Sequence, residues 1–78
     1  MIENLIRKEE IMNLGKRLEK IRKEKEETQQ SLGDKAGIKR EYLSRIETEE
    51  LPNPSLKTIR KIADSLGMSL SEFLDGVD

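Results

Sequence analysis

The sequence predicts an all-α fold, and three observations carry that expectation. Aliphatic residues recur at helical spacing in both halves of the chain, as Leu14/Leu18/Ile21 and as Leu56/Ile59/Ile62/Ala63/Leu66. No segment alternates apolar and polar residues in the manner of a half-buried strand. Aromatic residues make up 3% of the 78 and hydrophobic residues 33%, so the core has to come from aliphatic side chains on helix faces. This length supports one small domain, whose stability margin is thin unless it is very regular or oligomeric.

The first strong helix is predicted from Asn13 to Glu26. Leu14, Leu18 and Ile21 share one face, and Lys16, Arg17, Glu19, Lys20, Arg22 and Lys23 mostly point outward. Thr28 offers an N-cap hydroxyl to a second helix, Gln29 to Lys35. Ser31 stands where a capping box places Glu or Gln, so an incomplete box is predicted. Leu32 and Ala36 are its buried residues, and Gly37 suits the left-handed position that ends a helix. A third helix, Arg40 to Glu47, buries Leu43 and Ile46, with Ile38 packing from the turn. The run Glu49-Glu50-Leu51-Pro52-Asn53-Pro54 cannot remain helical, because each proline restricts itself and the residue before it. Ser55 caps the fourth helix, whose apolar stripe ends at Gly67. A short fifth helix begins at Ser69 or Leu70 and runs through Phe73 and Leu74, and residues 75–78 form a tail predicted to fray.

Residues 1–13 form a separate extension. Ile2, Leu5 and Ile6, with Met12 following, form an apolar set that points away from the Leu14/Leu18/Ile21 face at about 100° per residue. Either the chain bends near Asn13-Leu14-Gly15, or that set faces a partner subunit, or the terminus frays.

Several function classes fall away on composition. Cysteine and histidine are both absent, which excludes Cys/His zinc sites, disulfides, Ser-His and Cys-His nucleophile pairs and histidine acid/base chemistry. Carboxylates such as Glu47 and Asp64 have no nucleophile–base partner, so the sequence points away from an enzyme, and no metal or cofactor is expected. No apolar run approaches the ~18 residues of a membrane span, and no signal-peptide pattern opens the chain, so a cytoplasmic protein is expected. The 15 basic and 16 acidic residues give a net charge of −1. Their distribution is uneven: residues 28–48 hold 4 basic and 3 acidic groups, and residues 49–78 hold 3 and 6. A near-neutral chain can therefore still present a basic face.

The two short helices joined at Ala36-Gly37-Ile38 are the most informative feature. Helices of this length persist only when packed tightly against each other and a scaffold, and a glycine at the bend beside an aliphatic residue is the composition of a helix-turn-helix. Such a turn projects the N-terminal part of its second helix outward, where it can enter a DNA major groove. Thr28-Gln29-Gln30-Ser31-Leu32, Lys35-Ala36-Gly37-Ile38 and Tyr42-Leu43-Ser44-Arg45-Ile46-Glu47 resemble the phage Cro/repressor, or Xre-type, helix-turn-helix family. So do Asn53-Pro54-Ser55-Leu56 and Ile62-Ala63-Asp64-Ser65-Leu66-Gly67-Met68-Ser69-Leu70. The similarity covers residues 14–74 in fixed register. It implies a compact five-helix domain that binds a palindromic operator in double-stranded DNA as a homodimer and regulates transcription.

The resemblance also assigns roles. Gln29, with Thr28 before it, matches a phosphate-contacting position at a helix N-terminus. Lys39, Arg40, Glu41, Tyr42, Ser44 and Arg45 occupy positions from which the family reads DNA. Arg40 and Arg45 suit guanine, Glu41 can accept from cytosine, and Lys39, Tyr42 and Ser44 suit backbone or methyl contacts. Arg22 and Glu47 fall where the family pairs an arginine of the first helix with a glutamate of the recognition helix. Leu70, Phe73 and Leu74 would form the dimer surface. Three residues depart from the pattern: Lys39 replaces a small capping residue, Gly33 replaces alanine at a helix-propensity cost of about 1 kcal/mol, and Thr48-Glu49-Glu50 replaces a glycine-bearing, often basic turn. The acidic turn and near-neutral charge leave a second reading open, a protein-interaction module of the same fold binding a toxin or anti-repressor.

Overall fold

The computed structural model describes residues 13–50, 54–75 and 77. Expectations about Ile2, Leu5, Ile6 and Met12, and about the helix break at Leu51-Pro52-Asn53, lie outside these residues.

Five helices follow in order among the described residues: α1 (Leu14–Glu24), α2 (Gln29–Ala36), α3 (Arg40–Glu47), α4 (Leu56–Ser65) and α5 (Leu70–Leu74). The apolar stripes turn to a common centre, except that Leu56, the first residue of the stripe predicted for α4, is 57% exposed. Leu18, Leu32, Leu43, Ile46, Ile62, Ala63, Leu66 and Phe73 are buried there with Ile21. Helix α2 packs on α3 and α4, α1 on α3 and α5, and α4 on α5. The pair α2–α3 is therefore held from behind by α1 and α4.

Helix starts follow local chemistry. Asn13, Thr28, Ser55 and Ser69 each accept a backbone N–H three residues on, satisfying donors that the first turn leaves unpaired. Thr28 corrects the sequence reading. Its capping box is complete, because the Ser31 hydroxyl accepts from the Thr28 N–H at 2.9 Å and so serves where Glu or Gln was required. Lys39 supplies no side-chain cap to α3.

Helix ends depend on left-handed residues. Gly37 (φ 71°) closes α2 and Gly67 (φ 72°) follows α4. The other two such residues among those described are glutamates, Glu26 (φ 57°) after α1 and Glu49 (φ 65°) after α3. At Glu26 the cost is offset by two bonds that satisfy terminal carbonyls: Glu26 N–H to the Lys23 carbonyl at 3.0 Å and Glu27 N–H to the Arg22 carbonyl at 2.9 Å. The helical stretch accordingly stops at Glu24 rather than at the predicted Glu26.

Helix α5 has five residues and is fastened at both ends. Ser69 and Glu72 form a capping box at its start. From α1, Arg17 donates through Nε to the Phe73 carbonyl and through Nη2 to the Glu72 carbonyl, both at 2.9 Å. Phe73 corrects a second expectation. As the chain's single phenylalanine it is spent on the intramolecular core, 1% exposed, and offers no area to a partner subunit. Leu70 and Leu74 are half-buried, with Leu74 packed on the core. In the tail, the N–H of half-buried Val77 donates to the Leu74 carbonyl at 3.0 Å rather than pointing into solvent.

Candidate nucleic-acid interface

Helix α3 has eight residues, and its two faces differ completely. Leu43 and Ile46 lie inward, with Tyr42 half-buried against the same core. Lys39, Arg40, Glu41 and Arg45 are exposed, and Ser44 is half-buried. Among the described residues, neither Lys39 nor Arg40 takes part in an ion pair.

Two glycines let neighbouring backbone come close enough to fix α3. A Cβ at Gly33 would stand 2.4 Å from the Ile38 carbonyl oxygen, so α2 touches the turn backbone directly. A Cβ at Gly15 would stand 2.5 Å from the Ile46 carbonyl oxygen and 2.7 Å from that of Glu47, so α1 touches the end of α3. Gly33 is thus a packing requirement, and its lower helix propensity is secondary. At the bend, left-handed Gly37 turns the chain, and the Ile38 N–H donates to the Gly33 carbonyl at 2.8 Å.

A polar cluster locks the inner end of the unit. Arg22 donates through Nε to Glu47 Oε2 at 2.7 Å and through Nη2 to Oε1 at 3.1 Å. Its third nitrogen, Nη1, reaches the Glu27 carbonyl at 2.8 Å. The side chains are 10% and 3% exposed, so desolvation is substantial, and this forked geometry is what compensates it. The hydrogen bond to Glu47 outweighs burial and holds the Arg22 guanidinium above its ordinary pKa. Gln29 joins the same carboxylate, donating through Nε2 to Glu47 Oε1 at 3.1 Å. The first residue of α2 is thereby tied to the last residue of α3. That tie uses one of the two N–H donors of the Gln29 amide.

The N-terminus of α2 faces outward beside this lock. Its first intrahelical bond runs from Leu32 N–H to the Thr28 carbonyl at 3.0 Å, so the amides of Gln29 and Gln30 precede the helical ladder, at the positive end of the helix dipole. Sequence reading missed the neighbouring cluster. Glu27 accepts from Lys35 and from the Ser31 hydroxyl, and its carboxyl is held below the usual range, by Lys35 first and Ser31 second. The four-residue spacing of Glu27, Ser31 and Lys35 was the available signal.

The turn after α3 is the second missed feature. The Glu49 carboxylate accepts from the Asn13 amide at 2.8 Å, while Glu50 Oε2 lies 3.6 Å from Arg45 Nε. Neither glutamate is an unattended charge.

The family described as helix-turn-helix matches residues 18–73. The immunity repressor protein of Bacillus phage phi105 is 43% identical over 60 residues, covering 77% of this chain and 41% of the relative. The HTH-type transcriptional regulator SinR of Bacillus subtilis (strain 168) is 37% identical over 62 residues, 80% of this chain and 56% of the relative. The chain thus spans about half the length of these relatives, or less. Among solved structures, the master regulator for biofilm formation SinR in complex with DNA superimposes with a TM-score of 0.74 at 37% identity. The match covers 80% of this chain and 98% of that one. The N-terminal DNA binding domain of SinR from Bacillus subtilis gives 0.73 at the same identity, covering 80% and 90%.

Proposed function

Since the chain belongs to the helix-turn-helix family, we propose that it is a sequence-specific DNA-binding transcriptional regulator that binds a palindromic operator as a homodimer. One observation carries the reading. The residues that would meet DNA (Lys39, Arg40, Glu41 and Arg45) are exposed on a helix whose opposite face is immobilised by backbone contacts and a buried ion pair.

In this mechanism, α3 enters the major groove by its N-terminal part. Arg40 and Arg45 each offer a forked pair of donors to guanine O6 and N7, and Glu41 accepts from cytosine N4. Lys39, Tyr42 and Ser44 contact backbone or thymine methyl groups. Thr28 and Gln29 seat a phosphate at the start of α2, where unpaired amides and the helix dipole favour an anion. The tie from Gln29 to Glu47 keeps that phosphate position in register with α3. One domain covers only a half-site, so a palindrome calls for two copies, with Leu70 and Leu74 as their contact. The outward face of α3 carries charge rather than apolar area, which favours a polyanion over a protein partner. The cytoplasm is the compartment where such a regulator would act.

Selection of bound duplexes from a random pool tests the reading. Enrichment of two inverted half-sites about 10 base pairs apart centre to centre, or a multiple of that, is the expected outcome. Recovery of no sequence, together with no salt-dependent binding to random duplex, would refute it.

A further inference from the structure

We infer that Glu50 is an internal competitor for Arg45, a carboxylate whose attraction for Arg45 weakens that residue's engagement with DNA. The inference rests on the DNA-binding reading above and adds a tuning residue to that same surface.

Arg45 lies in the last turn of α3 with its side chain 56% exposed, and its Nε is 3.6 Å from Glu50 Oε2. Glu50 faces the Nε edge of that guanidinium, an edge that a phosphate oxygen or one arm of a guanine fork would also use. The turn between them is held in place. Thr48 donates from its backbone N–H to the Ser44 carbonyl at 2.9 Å and from its hydroxyl to the same oxygen at 3.0 Å. The Glu49 N–H reaches the Ile46 carbonyl at 3.1 Å. Glu49 then takes a left-handed backbone (φ 65°), and its carboxylate is tied to the Asn13 amide at 2.8 Å. With Glu49 pinned to α1, the chain emerges with Glu50 beside Arg45.

The pair is solvated, with side chains 56% and 65% exposed, so it attenuates binding without blocking it. Its effect passes through one cation. That separates it from general repulsion by an acidic loop, to which Glu49 would contribute equally.

The test measures affinity of the full chain for a labelled random-sequence duplex at low salt. Glu50→Gln, Glu49→Gln, Arg45→Ala and the Glu50→Gln/Arg45→Ala double variant are compared with the parent, with helical circular dichroism confirming that each folds. Glu50→Gln should tighten binding about two- to five-fold, the range an exposed ion pair supports. That gain should shrink with added salt and vanish in the Arg45→Ala background. An unchanged affinity would overturn the inference. So would a gain that survives in Arg45→Ala, or an equal gain from Glu49→Gln. If the parent itself binds no duplex at low salt, the DNA-binding reading fails and this one with it. A parent that binds normally while Glu50→Gln has no effect refutes the competitor alone.

Discussion

On its inner side α3 meets protein at every turn: Leu43 and Ile46 fill the core, the Ile46 and Glu47 carbonyls touch Gly15, and Glu47 receives three hydrogen bonds from Arg22 and Gln29. On its outer side Lys39, Arg40, Glu41 and Arg45 meet solvent, and among the described residues the one ion pair there is long and exposed. The eight residues of α3 and the N-cap before them therefore do two jobs with little overlap. Burial and close backbone approach fix where the helix lies, which leaves the outward side chains free to be chosen for what they bind. Substitutions on the two faces should accordingly separate into losses of stability and losses of binding.

The largest effect should come from the inner lock. Glu47→Ala leaves Arg22 buried without its carboxylate and should cost about 3–5 kcal/mol in chemical denaturation. A cost below about 1 kcal/mol would mean that Arg22 escapes to water and that the face is less fixed than its geometry indicates. Gly33→Ala comes next. The added methyl gains helix propensity, yet its clash with the Ile38 carbonyl should dominate, for a net loss of about 1–3 kcal/mol. A more stable variant would show that the turn can move away.

Arg40→Ala should sharpen the contrast from the other side. Stability should be unchanged while binding to the selected operator weakens by about 1–3 kcal/mol, with preference relaxed at one base pair. An equal loss on random duplex would reassign Arg40 to a phosphate.

The smallest effect is a pH dependence away from both faces. Glu72 is held below the ordinary carboxylate range by the Ser69 N–H and then by the Ser69 hydroxyl, and Glu27 by Lys35 and then Ser31. Near and below the ordinary value of about 4.3, the unfolded chain binds more protons at these groups than the folded one. Their contribution is therefore full above that pH and is lost as pH falls through the lower folded-state values. Thermal unfolding should show a modest decline in Tm on acidification, shallower in Glu72→Gln. An unaltered slope would remove Glu72 from the account.

The helices and most of the core were legible because the longer helices repeat aliphatic residues at helical spacing, and all but α3, which follows Lys39, start at Asn, Thr or Ser. Gly37 announced the bend for the same local reason. What escaped were features set by tertiary contact. Glu26 and Glu49 adopt left-handed backbone that nothing in their residue type suggests, since the supporting bonds arise only in the folded chain. Gly33 read as a weak helix former because the Ile38 carbonyl above it is invisible in one dimension. Phe73 read as a surface residue because a five-residue helix has too little periodicity to show its inward side. At the interface, the residue types of α3 were readable, but their electrostatic partners were not. That Gln29 reaches Glu47 and Glu50 lies beside Arg45 depends on how two turns are placed.

Amide chemical shifts of the labelled protein, followed as the selected duplex is added, test the division between the two faces most directly. Perturbations should concentrate at Thr28–Gln30 and Lys39–Arg45, with α4 and α1 behind them largely silent. Shifts centred on α4 or α5, or a spectrum that does not respond to duplex at low salt, would contradict it.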